Sequence, residues 1–362
     1  MLESIAATNE TSTVEQVASL PTSGGLATSI PVPPAVRVQI CSHRDAVRRV
    51  LDGADDRMLV IVGPCSIHDP IAGLDYARQL AAAAKSHSDD LLVVLRAYLE
   101  KPRSVVGWKG LVHDPRLNGS SDVAAGLRIG RRFLVDAAGT GLPLAGEFVD
   151  PFVAPYVADL FSYGAIGART VASQPHRQLA SWLPMPVGCK NTVEGDVGAA
   201  INAVQVAAHQ HVFPGVSPIG VSVLQRSRGN AYGHLVLRGG ISGPNHDAIS
   251  VQTALRRLDD AGLPARVVVD ASHGNSGKDH RRQPEVVADV GDQVAGGQTG
   301  VVGVMIESFL VEGKQTSPTT YGMSITDACL GFQDTLAVLD TLAAAVRRRR
   351  YRGSLFRNSA AE

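Results

Sequence analysis

Apolar residues in this chain gather in short unbroken runs. Eight follow one another: MLVIVG at 58–63, LLVVLR at 91–96, LPLAGEF at 142–148, AIGART at 165–170, PVGCKN at 186–191, HLVLRG at 234–239, RVVVDAS at 266–272 and VVGVMIES at 301–308. A strand with one face in water would alternate with polar residues. Runs rich in Val, Ile and Leu without that alternation read as strands covered on both faces. Segments of helical length separate them, at 71–86, 122–138, 153–163, 194–209, 247–261, 284–295 and 324–350, and a short helix near 43–53 precedes the first strand. Strand then helix, eight times, predicts one closed parallel (β/α)8 barrel of the α/β class. An open doubly wound sheet is the alternative, but no G-x-G-x-x-G follows the first strand. The stretch before the barrel is rich in Ser, Thr, Ala and Pro, including TSGGLATSIPVPP, and reads as a flexible or extended arm over 1–42. The barrel then spans 43–352, and 353–362 form a C-terminal tail. The gap between the second and third strands leaves room for a loop over the barrel mouth, YLEKPRSVVGWKGLVHDPRLNG.

Composition narrows the picture. With 362 residues, 44% hydrophobic and 19% charged, the chain is globular and long enough for one large α/β domain or two ordinary ones. Lys plus Arg and Asp plus Glu are 34 each, so no global field points to nucleic acid or a membrane surface. The start, MLESIAATNETSTVEQ, lacks the basic and apolar blocks of a secretory signal, and no run is long enough to span a bilayer. Cys41, Cys65, Cys189 and Cys329 stand far apart, as in a reducing compartment, so a cytoplasmic location is expected. The basic run RRRRYR reads as the solvated C-terminus of the last helix, where cations meet the dipole favourably.

Chemistry in such a barrel sits at the C-terminal ends of its strands. Those positions hold, in chain order, Cys65, Arg96 with Lys101 close behind, Glu147, Arg169, Lys190, Arg238, His273 and Glu307. A lone Arg at a strand end is usually a solvated rim charge; a full ring of ionisable residues is harder to dismiss. Cys65, His273 and Glu307, with Asp327 following, mix soft and hard donors suited to a divalent first-row metal (Mn, Fe, Co or Zn). Their dispersed spacing equally fits a buried Cys beside a hydrogen-bonded His and two unrelated acids. Arg96, Lys101, Arg169, Lys190 and Arg238 would repel one another without an anionic guest, which argues for a small dianionic or trianionic substrate. Structural ion pairs with Glu147 and nearby acids are the alternative.

Ten ordered blocks across roughly 58–332 carry a family resemblance: GPCSIHDP, RAYLEKPRSVVGWKGL, GLPLAGEF, YGAIGARTVASQPHRQLAS, PVGCKN, LVLRGG, DASHGNSGKDHRRQ, GVMIES, LVEGKQ and YGMSITDACLG. In these the chain resembles class I 3-deoxy-D-arabino-heptulosonate-7-phosphate (DAHP) synthases, which open the shikimate pathway. The resemblance implies a TIM barrel with an N-terminal extension and a metal-dependent condensation of phosphoenolpyruvate with erythrose 4-phosphate. It serves aromatic amino acid biosynthesis or a specialised aromatic product. It puts the metal on Cys65, His273, Glu307 and Asp327. Phosphoenolpyruvate falls to Arg96, Lys101, Glu147, Arg169, Lys190 and Arg238. Erythrose 4-phosphate falls to Lys101, Pro102, Arg103 and Ser104, where Ser104 replaces the usual Thr and keeps the hydroxyl. Lys101, His273 and Cys65 are the implied catalytic residues, and a homodimer or homotetramer is the expected assembly. A synthase for another phosphosugar, such as arabinose 5-phosphate, and an inactive ligand-binding paralogue are the competing readings. One departure concerns feedback control. Trp182, Pro184 and Gly215 stand where small or hydroxyl residues are typical, so inhibition by phenylalanine and tyrosine is expected to be weak, with Trp182 able to fill an effector pocket.

Overall fold

The computed structural model describes residues 13–359, with side chains through residue 354. The elements run α1 (Ser23–Ser29), α2 (Pro34–Leu51), β1 (Met58–Gly63), α3 (Pro70–Ser86), β2 (Leu91–Arg96), α4 (Val123–Ala138), β3 (Leu144–Glu147), α5 (Ala154–Val157), β4 (Tyr163–Ile166), α6 (Gln174–Trp182) and β5 (Val187–Lys190). They continue with α7 (Gly198–Ala208), β6 (Val212–Val216), β7 (Ser222–Arg226), β8 (Gly233–Leu237), α8 (Ala248–Asp260), β9 (Val267–Asp270), α9 (Gln283–Ala295), β10 (Val301–Glu307), β11 (Val311–Lys314), β12 (Met323–Ser324) and α10 (Phe332–Ser359). Eight strands close a parallel barrel in the order β1-β2-β3-β4-β5-β8-β9-β10, with β10 returning to β1. This is the expected (β/α)8 barrel.

The unbroken apolar runs have a direct cause. Along β1, Leu59 and Ile61 join an inner cluster with Val94, Tyr98, Tyr163, Val236, Val268 and Met305. Met58, Val60 and Val62 join the outer layer under the helices. Both faces are dry, so period-2 alternation carries no polar signal. The inner layer also buries one polar pair. Tyr163 Oη lies 2.8 Å from His234 Nε2, and His234 Nδ1 lies 3.0 Å from the Tyr232 carbonyl. The carbonyl can only accept, so Nδ1 carries the proton and Nε2 accepts from the phenol. Gly188 makes the room, since a Cβ there would come within 2.2 Å of that phenol oxygen.

Several expectations need correction. The region read as an arm contains α1 and the first half of α2, and only residues 1–12 of it lie outside the described residues. Thr22 caps α1 through Gly25 N, and Pro34 opens α2, where its missing N–H costs nothing. Leu26, Ile30, Val32 and Ile40 then bury against the barrel. The fourth strand ends at Ile166 rather than at 170, because the chain turns at Gly167–Thr170. The third spans Leu144–Glu147, and the helix expected over 153–163 shortens to α5 and a 3-10 turn. An antiparallel hairpin, β6–β7, occupies a stretch to which the sequence pattern assigned no element. The last helix begins at Phe332, since Met323–Ser324 pair with β11 and Ser324 Oγ takes the Thr326 N–H. That helix continues through residues 353–359, read as tail, and residues 360–362 lie outside the described residues. The basic run is therefore inside a helix. Arg347 and Arg350 pair with Asp90, Arg350 also with Asp56, and Arg348 with Asp292.

Candidate active site

The mouth of the barrel holds a cleft of 290 Å³. Six cations (Lys101, Arg103, Arg169, Lys190, Arg238 and Lys278) and three carboxylates (Glu147, Glu307 and Asp327) line it, so its field favours an anion. Every strand-end residue named from the sequence comes to this face. Arg169 does so from the turn after β4, three residues past the strand. Glu147 fits because Gly167 has no side chain: a Cβ there would meet Glu147 Oε1 at 2.1 Å.

Cys65, Glu307 and Asp327 offer ligand atoms that all lie within 4.8 Å of one another. His273 stands beside them, with Nε2 3.8 Å from Glu307 Oε1. The thiol, two carboxylates and imidazole converge where a cation is already favoured. The Lys101 ammonium lies 2.8 Å from Cys65 Sγ and 2.7 Å from Asp327 Oδ2. Burial, then Glu307, pushes the Cys65 thiol up to about 11, and only neighbouring cations oppose that rise. Burial would also raise Asp327, but the Lys101 ammonium outweighs it and holds that carboxyl far below the usual range. Such a donor set fits a divalent first-row ion better than Ca or Mg.

The expected anion-binding residues separate into two layers. Arg238 is 7% exposed and spends one side-chain N–H on the Gly239 carbonyl, 3.2 Å away. The residue lines the cleft. Arg169 and Ser104 meet through a bond of 2.6 Å, which ties the loop after β2 to the turn after β4. Arg103 and Ser104 are exposed at the rim. Arg96 lies beneath the cleft, 1% exposed, donating to the carbonyls of Pro64 and Cys65 and to Glu307 Oε1 at 2.9 Å. Its guanidinium rests 3.6 Å above the Tyr98 ring, a buried cation–π contact. In this structure it braces the two deepest donors.

Sequence reading missed several residues of this site. Glu100, 3% exposed, accepts from the backbone of Val149 and Asp150 and lies 3.2 Å from His113 Nε2, pinning the loop that carries Lys101, Arg103 and Ser104. Gln283 brackets Glu307 through both its backbone N–H and carbonyl. Lys278 reaches the mouth from a turn where it and His273 both take positive φ, closed by the Lys278 N–H on the His273 carbonyl. Asp270 is fully buried beneath His273 and Lys190. One signal was available for it: it is the sole acid in the run RVVVDAS.

A separate cavity of 730 Å³ opens between residues 19–23, α6 and the β6–β7 hairpin. Trp182 lines it without filling it, and Pro184 is not part of its wall.

The model of the DAHP synthetase I family matches residues 33–340. The chain belongs to that family. It is 46% identical over 342 residues to a phospho-2-dehydro-3-deoxyheptonate aldolase of Corynebacterium glutamicum, covering 91% of this chain and 93% of the relative. It is 49% identical over 315 residues to the Phe-sensitive enzyme of that name from Escherichia coli, covering 86% and 90%. Among solved structures, the phospho-2-dehydro-3-deoxyheptonate aldolase of Francisella tularensis superposes with a TM-score of 0.91 at 42% identity, covering 93% of this chain and 99% of that one. Among the described residues no helix is long and apolar enough to cross a membrane.

Proposed function

We propose that this chain is a metal-dependent DAHP synthase acting in the cytoplasm as a homodimer or homotetramer. It joins phosphoenolpyruvate to erythrose 4-phosphate and releases phosphate. The observation that carries this reading is the meeting, in one cleft, of a cation-rich wall and a converging thiol–carboxylate–imidazole set. The cation ring suits two anionic substrates that must be held together against their own repulsion.

In this reading Lys190, Arg169 and Arg238 grip the carboxylate and phosphate of phosphoenolpyruvate, and Arg96 and Glu147 complete that subsite. Arg103 and Ser104 take the phosphate of the aldose, with Pro102 stiffening the loop. The Arg169–Ser104 bond couples the two subsites. Cys65, His273, Glu307 and Asp327 hold the divalent ion, which when bound supplies Lewis-acid polarisation of the aldehyde. The enol carbon forms the new C–C bond, water adds at the adjacent carbon, and C–O cleavage frees phosphate. Lys101, 2.7 Å from Asp327 Oδ2, and His273 are the groups placed to move protons between these steps.

The test is phosphate release from phosphoenolpyruvate with a panel of aldose phosphates. Turnover with erythrose 4-phosphate well above that with arabinose 5-phosphate is expected. Preference for the five-carbon sugar would reassign the substrate, and no release with any aldose would mark a binding protein.

A further inference from the structure

Asp270 ends β9 and is fully buried, yet every direction its carboxylate offers is taken. Oδ1 accepts from Ser272 N at 3.0 Å and from Ser272 Oγ at 2.5 Å. Oδ2 accepts from Lys190 Nζ at 3.0 Å and lies 2.9 Å from His273 Nδ1, which is also 2.8 Å from Ser272 Oγ; that hydroxyl spends its proton on Oδ1 and can only accept from Nδ1. One oxygen thus faces both a cation of the cleft and a member of the thiol–carboxylate–imidazole set. A carboxylate against Nδ1 requires that nitrogen to carry the proton, which leaves the Nε2 lone pair free toward Glu307 and the donor set. His273 cannot easily turn away, because its backbone is held at φ 58° in the turn closed by Lys278. The same oxygen anchors Lys190, 3% exposed, whose ammonium would otherwise be buried without a counter-charge.

The geometry points to Asp270 as a positioning residue that serves both substrate and metal, aiming Lys190 at phosphoenolpyruvate and fixing the tautomer of His273 for the ion. This rests on the roles given above to Lys190 and His273. It makes one buried carboxylate a shared support of the two subsites, beside the direct contacts that Arg96 makes with Glu307 and Lys101 with Cys65 and Asp327.

The test is a crossed set of variants in the full chain. Mn(II) affinity is read by competition with a chromophoric chelator, and phosphoenolpyruvate affinity by calorimetry on metal-free protein. Asp270→Asn should weaken Mn(II) by about 10- to 100-fold and phosphoenolpyruvate by about tenfold. In a Lys190→Met background, adding Asp270→Asn should cost phosphoenolpyruvate nothing further and still cost Mn(II) its full factor. In a His273→Ala background the pattern should reverse. The Lys190→Met, Asp270→Asn protein leaves no unpaired ammonium at this place, so it carries the metal measurement should the single Asn variant not fold. Mn(II) affinity within threefold of its Asp270 parent overturns the proposal, as does an Asp270→Asn effect that ignores the background. If Lys190→Met or His273→Ala alone leaves its own ligand unaffected, the functional assignment of those residues fails instead.

Discussion

Arg238 offers the most direct test of the anion site. Its side chain is buried, yet it gives one of five N–H donors to protein among the described residues. Burial, with Arg169 nearby, disfavours its charge, and Asp270, Glu307 and Glu147 compensate in part. Such a group is costly in the free protein and rewarded when an anion arrives. Arg238→Met keeps the stem and removes the charge. Each charge-assisted bond lost is worth roughly 1.5–3 kcal/mol, so phosphoenolpyruvate affinity should fall roughly 10- to 150-fold. Thermal unfolding separates this from damage to the fold. Ligand at a hundred times Kd stabilises by about 2.7 kcal/mol; a tenfold weaker variant at the same concentration gains only about 1.4 kcal/mol. The ligand-free melting temperature should stay near the wild-type value while the shift induced by phosphoenolpyruvate is at least halved. The Michaelis constant for phosphoenolpyruvate should rise in step. A variant with a normal shift and a normal Michaelis constant would show that the pocket is misassigned.

Three further outcomes are expected. Prolonged chelation should abolish phosphate release and Mn or Co should restore it; full activity in a verified metal-free sample refutes the metal assignment. Burial holds the His234 imidazole down to about 3 against 6.5 in the unfolded chain, so the unfolded chain binds the proton first as pH drops. Stability should fall from pH 6.5 towards 3 by up to roughly 1.4 kcal/mol per pH unit from this group, and His234→Gln should flatten that limb in urea melts; an unchanged slope refutes it. Inhibition by phenylalanine or tyrosine should be weak, because Trp182 and Gly215 bring no hydroxyl to the cavity beside the hairpin. Dose–response curves at low and near-saturating substrate test this, and strong inhibition at micromolar effector would show that other contacts hold the amino acid and refute the reasoning.

The barrel was legible because its strands are dry on both faces: Ile61 packs inward, Val60 and Val62 outward, and all three read as one apolar run. The elements that escaped carry local signals against themselves. In the hairpin, Pro214 and Gly215 sit inside a strand whose residues alternate between exposed and half-buried, which reads as loop. Helix α1 hides in Ser, Gly and Thr, and its single buried anchor is Leu26. Helix propensity is weak there, so the docking of that one side chain and the Thr22 cap decide the outcome.

The candidate site divides in the same way. A barrel turns sequence order into a ring, so a reader who finds the strand ends also finds Cys65, Glu147, Lys190, Arg238, His273 and Glu307 without knowing any distance. What holds those side chains in place is not ordered along the chain. Asp270 and Lys190 stand 80 residues apart. Taken singly, one is an odd acid in a core strand and the other a rim charge. Arg96 makes the same point in reverse. Its strand-end position speaks for a hand on the substrate, and the pattern gives no sign of its second part as a brace beneath the donors, through Glu307, 211 residues away, and the Cys65 carbonyl. Residues that touch the ligand are fixed by topology, which sequence pattern reveals. Residues that aim them are fixed by pairings across the barrel, and a buried charge finds its partner only when the sheet closes.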